Sequence, residues 1–210
     1  TRSGLFGSAR AGMVATSEAR QRVAQARDLF ERGESANREN FRLAEDLLKE
    51  AQVLAPTDGE VWAAQAQLSA DLRLYSFDRT KARGEAMRLQ AERAVKLAPD
   101  SFEAQLSYAI YLRAFPGTPQ MEEGLRKLQE LAARGADRNR VWRELGIALG
   151  WSGRYQEALE AFDRANAVRG GDPDALTIKA WMLCSRFGRF EDAERALADA
   201  IAIRPTGRAL

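Results

Sequence analysis

Cys184 is the chain's one thiol, and histidine is absent. Without histidine, Ser-His-Asp and Cys-His activation of a nucleophile are unavailable, as is every zinc site that uses an imidazole. A single thiol allows no internal disulfide, so an oxidising compartment is not indicated. The remaining candidates for chemistry are carboxylates, lysines, arginines and aromatics. "GSARAGMV" (7–14) has the Gly-x4-Gly spacing of a phosphate loop. Met13 and Val14 stand where such a loop needs Lys and Ser/Thr, and no strand precedes it. "GGDPD" (170–174) lacks the spaced oxygens and closing Glu of a calcium loop and reads as a turn. Glu122 and Glu123 are adjacent on a helix, so they diverge and cannot flank a substrate. "RLYSFDRTKARG" (73–84) sets Arg73, Arg79, Lys81 and Arg83 beside Tyr75 and Phe77. With both aromatics exposed this would suit nucleic-acid stacking; the favoured reading is a helix end whose aromatics fold back. No catalytic, metal or cofactor constellation emerges.

Composition points the same way. Lys+Arg is 32 against Asp+Glu 30, a net charge of +2, which demands no polyanionic partner. Hydrophobic residues at 45% with 30% charged fit a folded chain rather than a disordered one. No apolar run approaches the roughly 20 residues of a membrane span. The opening "TRSGLFGSARAGMVA" has no initiator Met and no signal-peptide core; residues 1–16 are read as a disordered or cloning-derived tail, and the location as cytoplasmic.

The elements that must carry any site are helices. In "FRLAEDLLKEAQVLA" (41–55), Phe41, Ala44, Leu47, Leu48, Ala51 and Leu54 recur at helical spacing, with charge opposite. Pro56, Pro99 and Pro205 each close an amphipathic helix, since proline lacks an N–H and disfavours helix at the residue before it. Asp or Ser in "PTDGE" and "PDSFE" then caps the next helix. Between these stops lie two helices, divided at Gly84, Gly117, Gly153 and Gly188, so the unit is an antiparallel pair. Pairs are expected at about 17–57, 58–100, 101–137, 138–173 and 174–207. A ladder recurs in the second helices: Ala44, Leu48, Ala51; Met87, Ala91, Ala94; Gly124, Leu128, Leu131; Ala158, Phe162, Ala165; Ala193, Leu197, Ala200. "GRYQEALEAFDRA" (153–165) and "GRFEDAERALADA" (188–200) are near copies 35 residues apart.

The fourth pair reads Trp142-x2-Leu145-Gly146-x2-Leu149, then Ala158-x3-Phe162-x2-Ala165. It resembles the tetratricopeptide repeat, with Leu149 in place of Tyr and Gly170-Gly171 in place of Pro. The fifth keeps Ala193, Ala200 and Pro205, with Ala180-Trp181 where Leu-Gly is usual. Trp181 either packs on the neighbouring pair, the favoured reading, or anchors a partner. The resemblance spans about residues 17–207. It implies an all-α, right-handed superhelical solenoid of about five antiparallel pairs, in one domain. The first helix of each pair would line its concave groove.

On that resemblance, the groove includes Glu60, Ala63, Gln67 and Asp71, then Phe102, Gln105, Ala109 and Arg113. Pair four adds Arg140, Arg143, Ile147 and Trp151; pair five adds Ile178, Met182 and Arg186. The Lys/Asn clamp of family members that grip a chaperone's terminal carboxylate is missing: Ala63/Gln67, Gln105/Ala109, Arg143/Ile147 and Ile178/Met182 stand there. The expected function is a non-catalytic scaffold for a protein or extended peptide. An acidic ligand would be held in bidentate fashion by Arg113, Arg140, Arg143 and Arg186. The competing expectation is a regulatory or sensory module of a larger bacterial-type signalling or transcription-regulating protein. The last helix, rich in Leu197, Ile201 and Ile203, is a further expected contact, for self-association or a missing segment.

Overall fold

The computed structural model describes residues 2–31, 37–115, 117–168 and 171–203. Among them are ten α-helices, one π turn and no strand. In chain order the helices are α1 (Arg2–Glu31), α2 (Arg38–Leu54), α3 (Gly59–Leu74), α4 (Lys81–Leu97), α5 (Phe102–Arg113), α6 (Pro119–Arg134), α7 (Asn139–Trp151), α8 (Tyr155–Ala167), α9 (Pro173–Met182) and α10 (Phe190–Ile203). The π turn, Leu183–Phe187, continues α9. The all-α succession of helices is the one the sequence predicts, and neighbours pack as pairs in α1–α2, α3–α4, α7–α8 and α9–α10. α1 takes in residues 2–16, the stretch expected to be tail. Pro205 lies outside the described residues.

Local chemistry sets the helix starts. Asp58 accepts the Glu60 N–H at 3.0 Å, and Asp172 accepts that of Ala175 at 2.9 Å. Thr118 caps α6, and prolines 119 and 173 open α6 and α9, where a missing N–H costs nothing. The break between α3 and α4 falls at residues 75–80, not at Gly84, which sits inside α4. Thr80 caps α4 there, and Ser76 takes the positive φ that the turn requires. Asp78 accepts from Thr80 and from Arg83 Nε, and Arg83 Nη1 donates to Glu45 of α2 at 2.9 Å. These bonds, the Thr80 hydroxyl first, hold the Asp78 carboxyl down at about 2. Tyr75 and Phe77 fold back onto Phe41, with ring centroids 5.9 and 5.3 Å away.

The packing groups into two compact parts, Thr1–Tyr111 and Leu112–Leu210, divided within α5. In the first, α1 packs on α2 and α3, α2 on α3, and α3 on α4. Its core runs from Ala19, Val23, Ala26 and Phe30 through Phe41, Ala44, Leu48 and Ala51 to Val61, Ala64 and Leu68. In the second, α6 packs on α7, α7 on α8, and α9 on α7, α8 and α10. Small residues permit the closest approaches: a Cβ on Gly146 would lie 2.5 Å from the Phe162 ring. Every rung of the expected ladder is buried except Leu197.

The π turn explains a mismatch of one residue. The caps of α7 and α9, Arg138 and Asp172, are 34 residues apart, whereas Gly153 and Gly188, both at positive φ, are 35 apart. The closing bond spans five residues after α7 (Arg154 N–H to Leu149 O, 2.9 Å) and six after α9 (Arg189 N–H to Leu183 O, 3.0 Å). One residue is inserted, and the π turn absorbs it without breaking the helix.

Candidate functional site

A repeated hydrogen bond sets the register of the first helices. Trp62 Nε1 donates to Pro56 O at 2.8 Å, and Trp142 Nε1 donates to Ala136 O at 3.1 Å. Gln105 Nε2 makes the same bond, six residues back, to Pro99 O at 2.7 Å. Gln105 is therefore the counterpart of the two tryptophans and ties down its own inter-pair turn. This moves pair three by one position: Glu103, rather than Phe102, corresponds to Glu60 and Arg140. Glutamine carries no aromatic signal, so the motif concealed the shift. Ala180 likewise corresponds to Gly146, one step from the expected placement.

In the second part, three of the four arginines expected in the groove, Arg113, Arg140 and Arg143, belong to an internal ion-pair network. Arg113 Nε donates to Glu144 Oε2 at 2.8 Å, and its Nη2 donates to the same oxygen. Arg140 Nη2 lies 3.9 Å from the other Glu144 oxygen. Arg143 Nη1 reaches Asp172 at 2.9 Å and Asp174 at 3.5 Å. All six residues are buried. Burial opposes ionisation of Glu144, but Arg113, Arg140 and Arg143 outweigh it and hold its carboxyl below the ordinary range. Three guanidiniums and three carboxylates balance, so Arg113, Arg140 and Arg143 do not stand ready for an acidic ligand. The pairing is required because a buried charge needs a counter-charge.

The other expected residues divide by exposure. Ile147 and Met182 are core, and the Met182 methyl fills the space that a side chain on Gly150 would need. Phe102, Gln105 and Ile178 are half-buried. Trp151 is 45% exposed, with the Arg113 guanidinium 5.0 Å from its ring centroid. Arg186 is exposed and lies over Tyr155, whose ring meets Phe187 edge-on. Trp181 does not pack as expected: it is 61% exposed.

The first part holds a site that the motif did not reveal. An open depression of about 570 Å³ is lined by Arg20, Val23, Ala24, Arg27 and Asp28 of α1 and Glu60 of α3. Arg27 Nη2 lies 3.7 Å from Glu60 and 3.4 Å from Glu103. Gln67 Nε2 donates to Glu103 at 2.9 Å, and Ser101 Oγ bonds Glu60. Arg20 Nε reaches Asp58 at 3.1 Å from the rim. The depression therefore presents both signs of charge around the apolar base of Val23. α1 lacks the repeat motif; the legible signal was Arg20 and Arg27 seven residues apart, on one helix face. Among the described residues no group of three or more potential metal ligands forms, and no helix is long and apolar enough to cross a membrane.

No family model and no curated protein matches the sequence. Solved structures match the fold. A thermophilic TPR protein of Thermus thermophilus, TTC0263, has a TM-score of 0.67 at 16% identity, over 90% of this chain and 93% of that one. Pseudomonas aeruginosa pilF has a TM-score of 0.55 at 17% identity, over 93% and 79%. MamA (41 to end) from Desulfovibrio magneticus RS-1 has a TM-score of 0.50 at 16% identity, over 90% and 98%. At these identities the likeness is one of fold: the chain has the tetratricopeptide-repeat fold.

Proposed function

We propose that this helical-repeat chain is a non-catalytic scaffold that holds an extended polypeptide segment of another protein against the first helices of its pairs. One observation carries the reading. The residues that recur between pairs serve helix packing, whereas the first helices α1 and α3 leave an open depression walled by Arg20, Arg27, Asp28 and Glu60. Side chains that vary from pair to pair on a repeating frame are where selectivity resides.

The chemistry of the depression describes the ligand. With two cations and two carboxylates around an apolar base, it favours a segment that carries both charges beside an aliphatic residue. A purely acidic peptide gains little, because the arginines of the second part are already paired. Within that second part, exposed Trp151 and Arg186 and half-buried Ile178 offer an aromatic, a cationic and an aliphatic contact.

The test is a peptide array probed with the intact protein, with the hits measured again against Arg20→Glu and Trp151→Ala. Each variant changes an exposed side chain, so unfolding temperatures should hold. The expected result is an affinity loss of about tenfold for hits with mixed charge in at least one variant. Binding indifferent to both variants would overturn the reading.

A further inference from the structure

Positions that pair four buries lie open in pair five. α7 and α9 correspond at 34 residues, and α8 and α10 at 35 beyond the π turn. Ile147, 3% exposed, corresponds to Trp181, 61% exposed. Phe162, fully buried, corresponds to Leu197, 43% exposed. Phe190 and Ile201, both more than half exposed, share the Leu197 stripe of α10 at i, i+7 and i+11.

What covers the earlier face is visible. α9 packs on both α7 and α8, and its Lys179 pairs with Asp163 of α8. Pair five has no such helix among the described residues. Its face is not a copy of the earlier one, however. Glu194 stands on the stripe where buried Leu159 stands in α8, with Glu191 at its edge. Neither glutamate has an ion-pair partner among the described residues, whereas Arg189 and Arg195 both pair with Asp192. A covering helix therefore needs apolar side chains for Trp181, Leu197 and Ile201 and a cation for Glu194, since a carboxylate taken out of water must be paired.

We propose that the α9–α10 face is a docking site for an amphipathic α-helix of another protein, with an aliphatic face flanked by lysine or arginine. This surface is separate from the polypeptide site proposed above and does not depend on it. Trp181 is the anchor, because a large exposed aromatic is the side chain that gains most from being covered.

Two synthetic helices of about 18 residues test it, long enough to be helical when bound. Both carry the same leucine and alanine face; one is flanked by lysines, the other by glutamates. Fluorescence anisotropy with the intact protein should show the lysine peptide binding at least about tenfold more tightly. Trp181→Ala and Leu197→Ala should each weaken it with circular dichroism unchanged, and Glu194→Lys should reverse the preference. Equal binding of both peptides, no binding of either, or a preference untouched by Glu194→Lys would overturn the proposal. So would sedimentation showing a dimer of the protein alone that Leu197→Glu dissociates, because a second copy would then be the occupant.

Discussion

Arg113 and Glu144, 31 residues apart in sequence, share a buried ion pair in which Nε and Nη2 of the arginine both donate to one carboxylate oxygen. Glu144 also faces Arg140 and lies within the field of Arg143, so one carboxylate holds three cations of the second part in place. The network is structural first: it fastens α7 to the end of α5 and, through Asp172, to the start of α9.

Removing its centre should be costly. Glu144→Gln leaves buried guanidiniums undercompensated, with an expected loss of about 3–5 kcal/mol in urea unfolding of the second part. Replacing Arg113 and Glu144 together by methionine and leucine should cost far less, because the desolvation penalty goes with the charges. A single-variant loss below about 1 kcal/mol would mean the pair is weaker than its geometry indicates.

Acid should have the same effect reversibly. The Glu144 carboxyl is held below its ordinary value of 4.5 in the folded chain, so its contribution is fully present above that value. It is lost as pH falls through the depressed folded value. Thermal unfolding of the wild type should therefore drop more steeply below about pH 4.5 than that of Glu144→Gln. Parallel curves would remove Glu144 from the acid response.

Gly146 tests the tightness of pair four. Alanine there would place a methyl 2.5 Å from the Phe162 ring. The expected overpacking, about 1–3 kcal/mol, exceeds the gain in helix propensity of about 1 kcal/mol. Phe162→Leu in the same chain should recover part of the loss, since pair five holds alanine and leucine at the corresponding positions, Ala180 and Leu197. Calorimetry of the single and double variants measures the coupling.

Deleting Ser185 should be tolerated, because it removes the residue that the π turn absorbs and leaves α9 and α10 in register. Deleting Glu160 from the middle of α8 should unfold the second part, because it turns Phe162 and Ala165 about 100° off their buried face. Urea midpoints compare the two. Equal loss in both would show that the π turn is not slack in the repeat.

The all-α class and the succession of ten helices were legible along the chain. Those features rest on local chemistry: Asp58, Thr118 and Asp172 at helix starts, Pro56 and Pro99 after helix ends, and the Ala44–Leu48–Ala51 type of ladder in the second helices. Each acts within a turn or two of itself, so its spacing reveals it. Which side chains are free to meet a partner was settled by the packing of distant segments. Arg143 and Arg186 look alike in sequence, yet one is buried against Asp172, 29 residues away, and the other is exposed. Trp181 and Trp142 are the same residue on corresponding helices; Trp142 bonds a turn carbonyl while Trp181 faces solvent. Burial and charge pairing are set by residues distant along the chain, and a repeat pattern records the frame that brings them together without recording which of them meet.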